Sequence, residues 1–249
     1  HEIWQPDTFF SLTEKIETKP EVFFSKLLPF ITLEPQPYFN LWDVLRDKRD
    51  IKHEDYCLKA PFSDFKFFEI LADKLPETVN LHFSNSSAIR YAQLFEFKTN
   101  SIHCNRGTSG IDGCTSTAMG FAMKAKEQTV LVTGDVSFFY DINGLWNNYI
   151  PPYTRIIVFN NGGGDIFKII PGPSSTNALE EFILTKHHKN AEYLAKHFGF
   201  GYTKVDDEDT LSRVLDNFFK HDVKAKILEV DTSAIENSAV LKQYFEFLK

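Results

Sequence analysis

Thr-Val-Leu-Val-Thr-Gly-Asp-Val-Ser, residues 129–137, is a short apolar and β-branched run that stops abruptly on Gly134, Asp135 and Ser137. A second run, Arg155-Ile-Ile-Val-Phe159, stops in the same way on Asn160-Asn161-Gly162-Gly163-Gly164-Asp165. Continuous apolar runs of this length, bounded by turn residues, read as strands buried on both faces. Such strands belong to a parallel sheet covered by helices, and ligands bind there beyond the carboxyl ends of the strands. The polar residues that close these two runs are therefore the first place to look for chemistry.

Working outward, the same texture predicts strands at Val79–Phe83, Ser101–Cys104, Thr129–Thr133, Arg155–Asn160, Gly201–Val205 and Lys226–Val230. Helix-like stretches fall between and around them, at Asp64–Lys74, Ser86–Phe97, Asp112–Lys126, Phe138–Asn147, Leu179–His197, Asp209–Phe219 and Ser233–Leu248. In the stretch near 209, Leu211, Val214, Leu215, Phe218 and Phe219 form one apolar stripe at helical spacing. The expectation is an α/β fold, a three-layer open parallel sheet of about six strands with helices on both faces.

Residues 1–62 differ. Pro6, Pro20, Pro29, Pro35 and Pro37 break them into short pieces, with possible helices at Glu21–Leu28 and Leu41–Asp55, so they read as an edge segment and linker ahead of a binding domain at 63–249. The chain opens on His1 and carries 25 Phe, many in its first hundred residues, which points to a piece of something longer.

Composition narrows the function. The 249 residues carry 27 Lys+Arg against 34 Asp+Glu, a net charge of -7, which speaks against a polyanion binder such as a nucleic-acid protein. No run approaches the length that spans a bilayer, and Glu2, Asp7, Glu14 and Glu17 occupy the place of a signal-peptide core. Three cysteines, Cys57, Cys104 and Cys114, form no paired motif and suit a reducing compartment, so a cytoplasmic chain without membrane insertion is expected.

If the two strands are neighbours, Asp135 and Asn161, 26 positions apart, project from one sheet edge. A carboxylate and an amide oxygen suit a hard cation, and Mg²⁺ commonly fills the rest of its octahedron with phosphate oxygens and water. Three successive glycines after Asn161 let backbone approach a ligand closely, and diphosphate is a plausible one. Each feature alone has a plainer reading, Asp135 as an N-cap and the glycines as a flexible turn. The two together at this spacing favour the ligand.

Gly134-Asp135 followed by Asn160-Asn161 resembles the signature of thiamine-diphosphate enzymes, with Val136 in place of the usual third residue. Asn105-Arg106-Gly107-Thr108-Ser109-Gly110-Ile111-Asp112-Gly113, with Ser116-Thr117-Ala118 beyond, is more specific. It closely resembles a segment of the 2-succinyl-5-enolpyruvyl-6-hydroxy-3-cyclohexene-1-carboxylate (MenD) synthases of menaquinone biosynthesis. Asn85-Ser86-Ser87-Ala88-Ile89-Arg90, Tyr140-Asp141-Ile142-Asn143 and Gly163-Gly164-Asp165-Ile166-Phe167 match the same family in the same order.

The resemblance covers roughly residues 63–249 and implies a thiamine-diphosphate-binding fold, specifically the diphosphate-binding domain, with residues 1–62 as the end of the family's middle domain and a linker. It implies thiamine diphosphate and Mg²⁺ as cofactors, 2-oxoglutarate and isochorismate as substrates, and carboligase (transferase) chemistry. It further implies that a pyrimidine-binding domain, which carries the activating glutamate, is missing from this carboxy-terminal part. The complete enzyme would be at least a homodimer, and the fragment alone would be inactive.

Position by position, the resemblance makes Asp135, Asn161 and the Gly163 carbonyl the Mg²⁺ ligands, and places Ser109, Gly110, Gly134, Ser137 and Ile166 against the cofactor. Ile111 would be the wedge that bends it. Ser86, Arg90 and Arg106 would serve as catalytic and substrate-binding residues, the two guanidinium groups suited to carboxylates, and Ile166, Phe167 and Ile170 as the apolar wall for substrate. Ser86 also reads as a helix N-cap, and Asp165 stands where some relatives carry a neutral residue.

His187-His188 lie in a Lys-rich stretch that reads as a solvated helix face, and no H-E-x-x-H, dinucleotide-binding or Walker pattern occurs. Two other functions fit part of the pattern. One is a different thiamine-diphosphate decarboxylase or carboligase, which would not need the arginine pair, and the other is a non-catalytic module that binds a phosphate ligand.

Overall fold

Strand-forming runs that are apolar on both faces can be satisfied only when helices cover both sides of the sheet. The computed structural model, which describes residue 7, residues 9–32 and residues 37–249, has that arrangement. The chain divides into two compact units, 1–48 and 49–249. In the first, α1 (Pro20–Leu27) starts on a proline, which loses nothing at a first-turn position, and has no buried residue. Phe9, Phe10, Phe24, Phe30, Tyr38, Phe39 and Trp42 are all exposed. The last residues of α2 (Pro37–Cys57) open the second unit, where Tyr56 and Cys57 are buried.

Within the second unit the order is α3 (Asp64–Lys74), β1 (Asn80–Phe83), α4 (Ser87–Ala92), β2 (Ser101–Cys104), α5 (Cys114–Ala122), β3 (Thr129–Gly134), α6 (Asp135–Tyr140), β4 (Arg155–Asn160), α7 (Glu192–His197), β5 (Gly201–Val205), α8 (Glu208–Phe218), β6 (Lys226–Asp231) and α9 (Asn237–Leu248). The six strands form one all-parallel sheet in the order β2-β1-β3-β4-β6-β5. From β1 the chain builds outward to β2, then returns to lay β3 on the other side. The switch point of the sheet therefore lies between β1 and β3, where a ligand crevice opens beyond the carboxyl ends.

Side-chain alternation separates the two faces. In β4, Ile157 and Phe159 join Phe65, Phe68, Leu71, Tyr91, Leu211 and Leu241, so α3, α4, α8 and α9 cover one face. Ile156 and Val158 join Met119, Phe138 and Ala195, so α5, α6 and α7 cover the other. The expected three-layer architecture and six strands are observed, and the stripe on α8 is buried through Leu211, Leu215 and Phe218. Its start is fixed by Asp207, whose Oδ1 accepts from the Thr210 amide at 2.8 Å.

The helices depart from expectation mostly at their ends. The stretch Ser86–Phe97 is helical only over Ser87–Ala92, Asp112–Lys126 only over Cys114–Ala122, and Ser233–Leu248 only over Asn237–Leu248. The stretch at 138–147 begins earlier, at Asp135, and turns into a tight 3₁₀ turn at Ile142–Leu145. The single helix expected at Leu179–His197 does not form. Leu179–Ile183 makes one wide turn, closed by the Leu184 amide on the Leu179 carbonyl at 3.0 Å, and only Glu192–His197 is α-helical. Thr185-Lys-His-His-Lys-Asn190 carries no apolar side chain at all, so nothing in it can pack a helix onto the sheet.

Candidate functional site

Beyond the carboxyl ends of β1, β3 and β4 lies a cavity of about 450 Å³, at the switch point. Ser86, Arg90, Arg106, Ser109, Gly110, Ile111, Gly134, Asp135, Ser137, Asn161, Gly163, Ile166, Phe167 and Ile170 all line it. The structure thus brings these fourteen candidate residues to one cavity, where Asn85, Ser87, Val136, Phe159, Gly164 and Thr185 complete the wall.

Asn85, the residue after β1 and the buried Ser84, organises one side of this cavity. Its side-chain amide donates to the carbonyls of Asn105 and Gly110, which draws the 105–110 loop against β1. Its Oδ1 accepts from Arg106 Nη1 at 3.3 Å, while Arg90 Nη1 donates to the Ser86 carbonyl at 3.0 Å. Burial first, and then the charge of Arg106, hold Arg90 below the usual guanidinium pKa. Two cations that repel across an apolar-walled cleft are relieved by an anion placed between them, and a carboxylate fits the fork geometry of both. Ser86 stands at the N-cap of α4 but makes no capping hydrogen bond. It sits at φ 71°, and Ser109 and Thr185 at 61° and 52°. Among the described residues, these are three of the four non-glycine positions with positive φ, and strain of that kind collects at functional sites.

Asp135 opens α6 without capping it. Its Oδ1 accepts from the Val136 amide at 2.7 Å, and its Oδ2 reaches across from β3 to the loop after β4, accepting from the Gly162 and Gly163 amides at 2.9 Å each. Gly162, at φ 82°, and Gly163 carry that loop close to the 184–187 segment; a Cβ on Gly163 would stand 2.6 Å from the Leu184 carbonyl oxygen. Asn161 Nδ2 donates to Asp64 Oδ2 at 2.8 Å, and Asn161 Oδ1 is buried with no hydrogen-bond partner. Asp64, almost fully buried at the start of α3, also accepts from Thr232 Oγ1 at 2.6 Å. Burial pushes its carboxyl up to about 7, opposed by those two hydrogen bonds and reinforced by the charges of Asp165 and Asp135.

Among the described residues no three His, Cys, Asp or Glu side chains gather to hold a metal, so a cation here would rely on mixed donors. The donors suit one. An unpartnered amide oxygen beside a buried carboxylate is hard-cation chemistry, and a glycine loop without Cβ atoms leaves room for phosphate oxygens. Ser137 lies on the same wall, but its hydroxyl donates to the Ile111 carbonyl at 2.8 Å. Asp165 turns away from the cavity, with Oδ2 accepting from the Ser238 amide at 2.9 Å and Oδ1 2.7 Å from Lys168 Nζ.

His187 corrects the sequence reading. It is not on a solvated helix: the Leu184 carbonyl accepts from the Gly164 amide at 2.6 Å and the His187 amide donates to the Gly162 carbonyl at 3.0 Å, which lays this segment along the glycine loop. The side chain is 9% exposed, and Nε2 lies 3.2 Å from Asp135 Oδ2 without hydrogen-bond alignment. Nδ1 accepts from the Lys189 amide at 3.1 Å, which leaves Nε2 on the side of the Asp135 carboxylate. A helical reading hid this residue; the all-polar run 185–190 was the signal against that helix.

The family model for the thiamine pyrophosphate enzyme C-terminal TPP binding domain matches residues 86–228. Curated relatives include the 2-succinyl-5-enolpyruvyl-6-hydroxy-3-cyclohexene-1-carboxylate synthases of Flavobacterium johnsoniae and Flavobacterium psychrophilum, 46% and 47% identical over 97% of this chain. That of Porphyromonas gingivalis is 39% identical over 98% of it. The chain spans 44% of the length of each of these relatives. Among solved structures, benzoylformate decarboxylase from Polynucleobacter necessarius superposes with a TM-score of 0.59 at 18% identity, over 70% of this chain and 34% of that one. At such identity the likeness bears on the fold alone.

Proposed function

Since this chain belongs to the thiamine pyrophosphate enzymes and carries their TPP-binding domain, we propose that it holds the diphosphate end of the cofactor through Mg²⁺ in a synthase that decarboxylates 2-oxoglutarate and joins the remaining four-carbon unit to isochorismate. One observation carries this reading: the buried Asn161 oxygen has no partner, in a residue that shares its cavity with Asp135 and the glycine loop that Asp135 holds. Asp135, Asn161 and the Gly163 carbonyl are the proposed ligands of the cation, which neutralises a diphosphate so that it can be buried.

Bound there, thiamine diphosphate supplies the electron sink for decarboxylation of a 2-oxo acid. The chain's own residues position and desolvate. Arg90 and Arg106 orient substrate carboxylates, Ser86 adds a hydroxyl on the same wall, and Ile166, Phe167 and Ile170 exclude water along the carbon skeleton. Ile111 lies between the 105–110 loop and α5 and is proposed to press on the middle of the cofactor. The proposal places the reaction in an assembly of at least two copies, in which a further domain faces this cavity, and residues 63–249 form the domain that contributes it. The 249 residues alone are then expected to bind cofactor without turnover.

The test is an assay of the assembled enzyme with both substrates. Arg90→Ala and Arg106→Ala are expected to weaken use of the carboxylate substrates and leave cofactor affinity nearly unchanged. Full turnover in both variants would reject this substrate class, and decarboxylation of 2-oxoglutarate by the isolated chain would reject the need for a second domain.

A further inference from the structure

Asn161 has two chemically opposite ends, and only one of them can ligate a cation. Its Nδ2 donates to Asp64 Oδ2 at 2.8 Å, while its Oδ1 is buried with no hydrogen-bond partner, in a residue that lines the cavity with Gly163 and Gly164. Both Asp64 oxygens serve as acceptors, Oδ2 from Asn161 and Oδ1 from Thr232, so the Asn facing that carboxyl presents its NH₂ group. Asp64 is itself held on its other side: Thr232 Oγ1, just past the end of β6, donates to Asp64 Oδ1 at 2.6 Å. The Asp64 amide donates to Asn237 Oδ1 at 2.7 Å, and Asn237 Nδ2 donates to the Thr232 carbonyl at 3.1 Å. Asp64 lies 97 positions from Asn161, is 1% exposed, and has no ion-pair partner among the described residues.

We propose that Asp64 is a positioning residue that fixes the orientation of the Asn161 amide so that its oxygen, not its nitrogen, faces the cation. The inference rests on Asp135 and Asn161 being the cation ligands. A neutral amide at position 64 could present either its oxygen or its nitrogen, so Asn161 could turn over and offer the cation an NH₂ group. Partners that orient a metal ligand commonly change metal affinity by about 10- to 100-fold.

The test uses Mn²⁺ in place of Mg²⁺, read by electron paramagnetic resonance in the presence of thiamine diphosphate, with folding followed by circular dichroism. Asp64→Asn, nearly the same size, is expected to stay folded and lose about 10- to 100-fold in Mn²⁺ affinity. The double variant Asp64→Asn/Asn161→Asp reverses the pair: the amide now at 64 donates to one oxygen of the carboxylate now at 161, whose other oxygen faces the cavity. It is expected to recover most of the lost affinity, which a general structural role for Asp64 does not predict. It keeps the donor and acceptor matched, so it remains informative even if the single variant is unstable. Unchanged affinity in Asp64→Asn, or a folded double variant that binds Mn²⁺ no better than the single one, overturns the inference and leaves the cation site standing. Wild-type protein that binds Mn²⁺ no more tightly with thiamine diphosphate than without it overturns the cation site and the inference together.

Discussion

Arg90 and Arg106 illustrate how far single residues reach in this site. Each is half-satisfied by a neutral oxygen, from Ser86 and Asn85, so each guanidinium retains donors for a ligand. Losing a hydrogen bond to a charged group costs about 2 kcal/mol. Arg90→Ala or Arg106→Ala in the active enzyme should therefore raise KM for the carboxylate substrate by about 10- to 100-fold, read by steady-state kinetics. An equal rise for a substrate stripped of its carboxylate would speak against the assignment. Ser86 makes a separate residue-scale prediction. Its φ of 71° with ψ of -129° is a region that glycine occupies without strain, so Ser86→Gly should stabilise the fold by about 1 kcal/mol in urea denaturation. A loss of stability there would mean that the serine side chain holds the turn.

At the scale of elements, the contact between the glycine loop and the 184–187 segment is the most exacting. Gly163→Ala sets a Cβ against the Leu184 carbonyl, backbone on backbone, so neither side yields by a rotamer change. The variant should lose Mg²⁺-dependent cofactor binding while the sheet stays folded, as circular dichroism and calorimetry can report. Wild-type binding by Gly163→Ala would show that the loop tolerates displacement. In α8 the effect is one of stability: Leu215 is 1% exposed against the sheet, and Leu215→Ala should cost about 2–5 kcal/mol in urea unfolding without changing cofactor affinity. The strands were the most legible elements, because a run such as Arg155–Asn160, apolar on both faces, has few other ways to be buried. Helix ends were less so: residues 93–97 have helical composition, yet Leu94, Phe95 and Phe97 pack against the core without continuing the helix. The turn at 179–183 and the run 185–190 escaped altogether, because the segment that joins them is held by backbone bonds between Leu184 and Gly164 and between His187 and Gly162, partners twenty or more residues away.

For the whole molecule, the order β2-β1-β3-β4-β6-β5 gathers residues from the ends of three strands at one switch point. The cavity-lining residues were legible because Asp135 and Asn161 follow directly on strands whose pairing the spacing suggests. Asp64 and His187 were not: a first-turn aspartate reads as a helix-dipole partner, and a histidine in a lysine-rich run reads as solvent-facing. Global stability carries a pH signature of its own. Burial first, and then the nearby His103, lower the His82 pKa from 6.5 to about 4, and His82 stacks on His103 with ring centroids 4.7 Å apart. Between these values the unfolded chain binds the proton and the folded one does not, so this contribution is present above pH 6.5 and lost on acidification, up to roughly 3 kcal/mol. Asp64, raised to about 7, acts in the opposite sense over an overlapping range, so the comparison must be made against His82→Phe by urea titration at each pH. The advantage of the wild type over that variant should shrink from pH 7 toward pH 4; a constant difference would place His82 in a wetter setting. The central claim is met most directly by calorimetric titration of the purified protein with thiamine diphosphate, with and without Mg²⁺, with inorganic diphosphate and NAD⁺ as controls. The account predicts binding that requires Mg²⁺, is mimicked weakly by diphosphate but not by NAD⁺, and disappears in Asp135→Ala; binding that is indifferent to Mg²⁺ or to that substitution would contradict it.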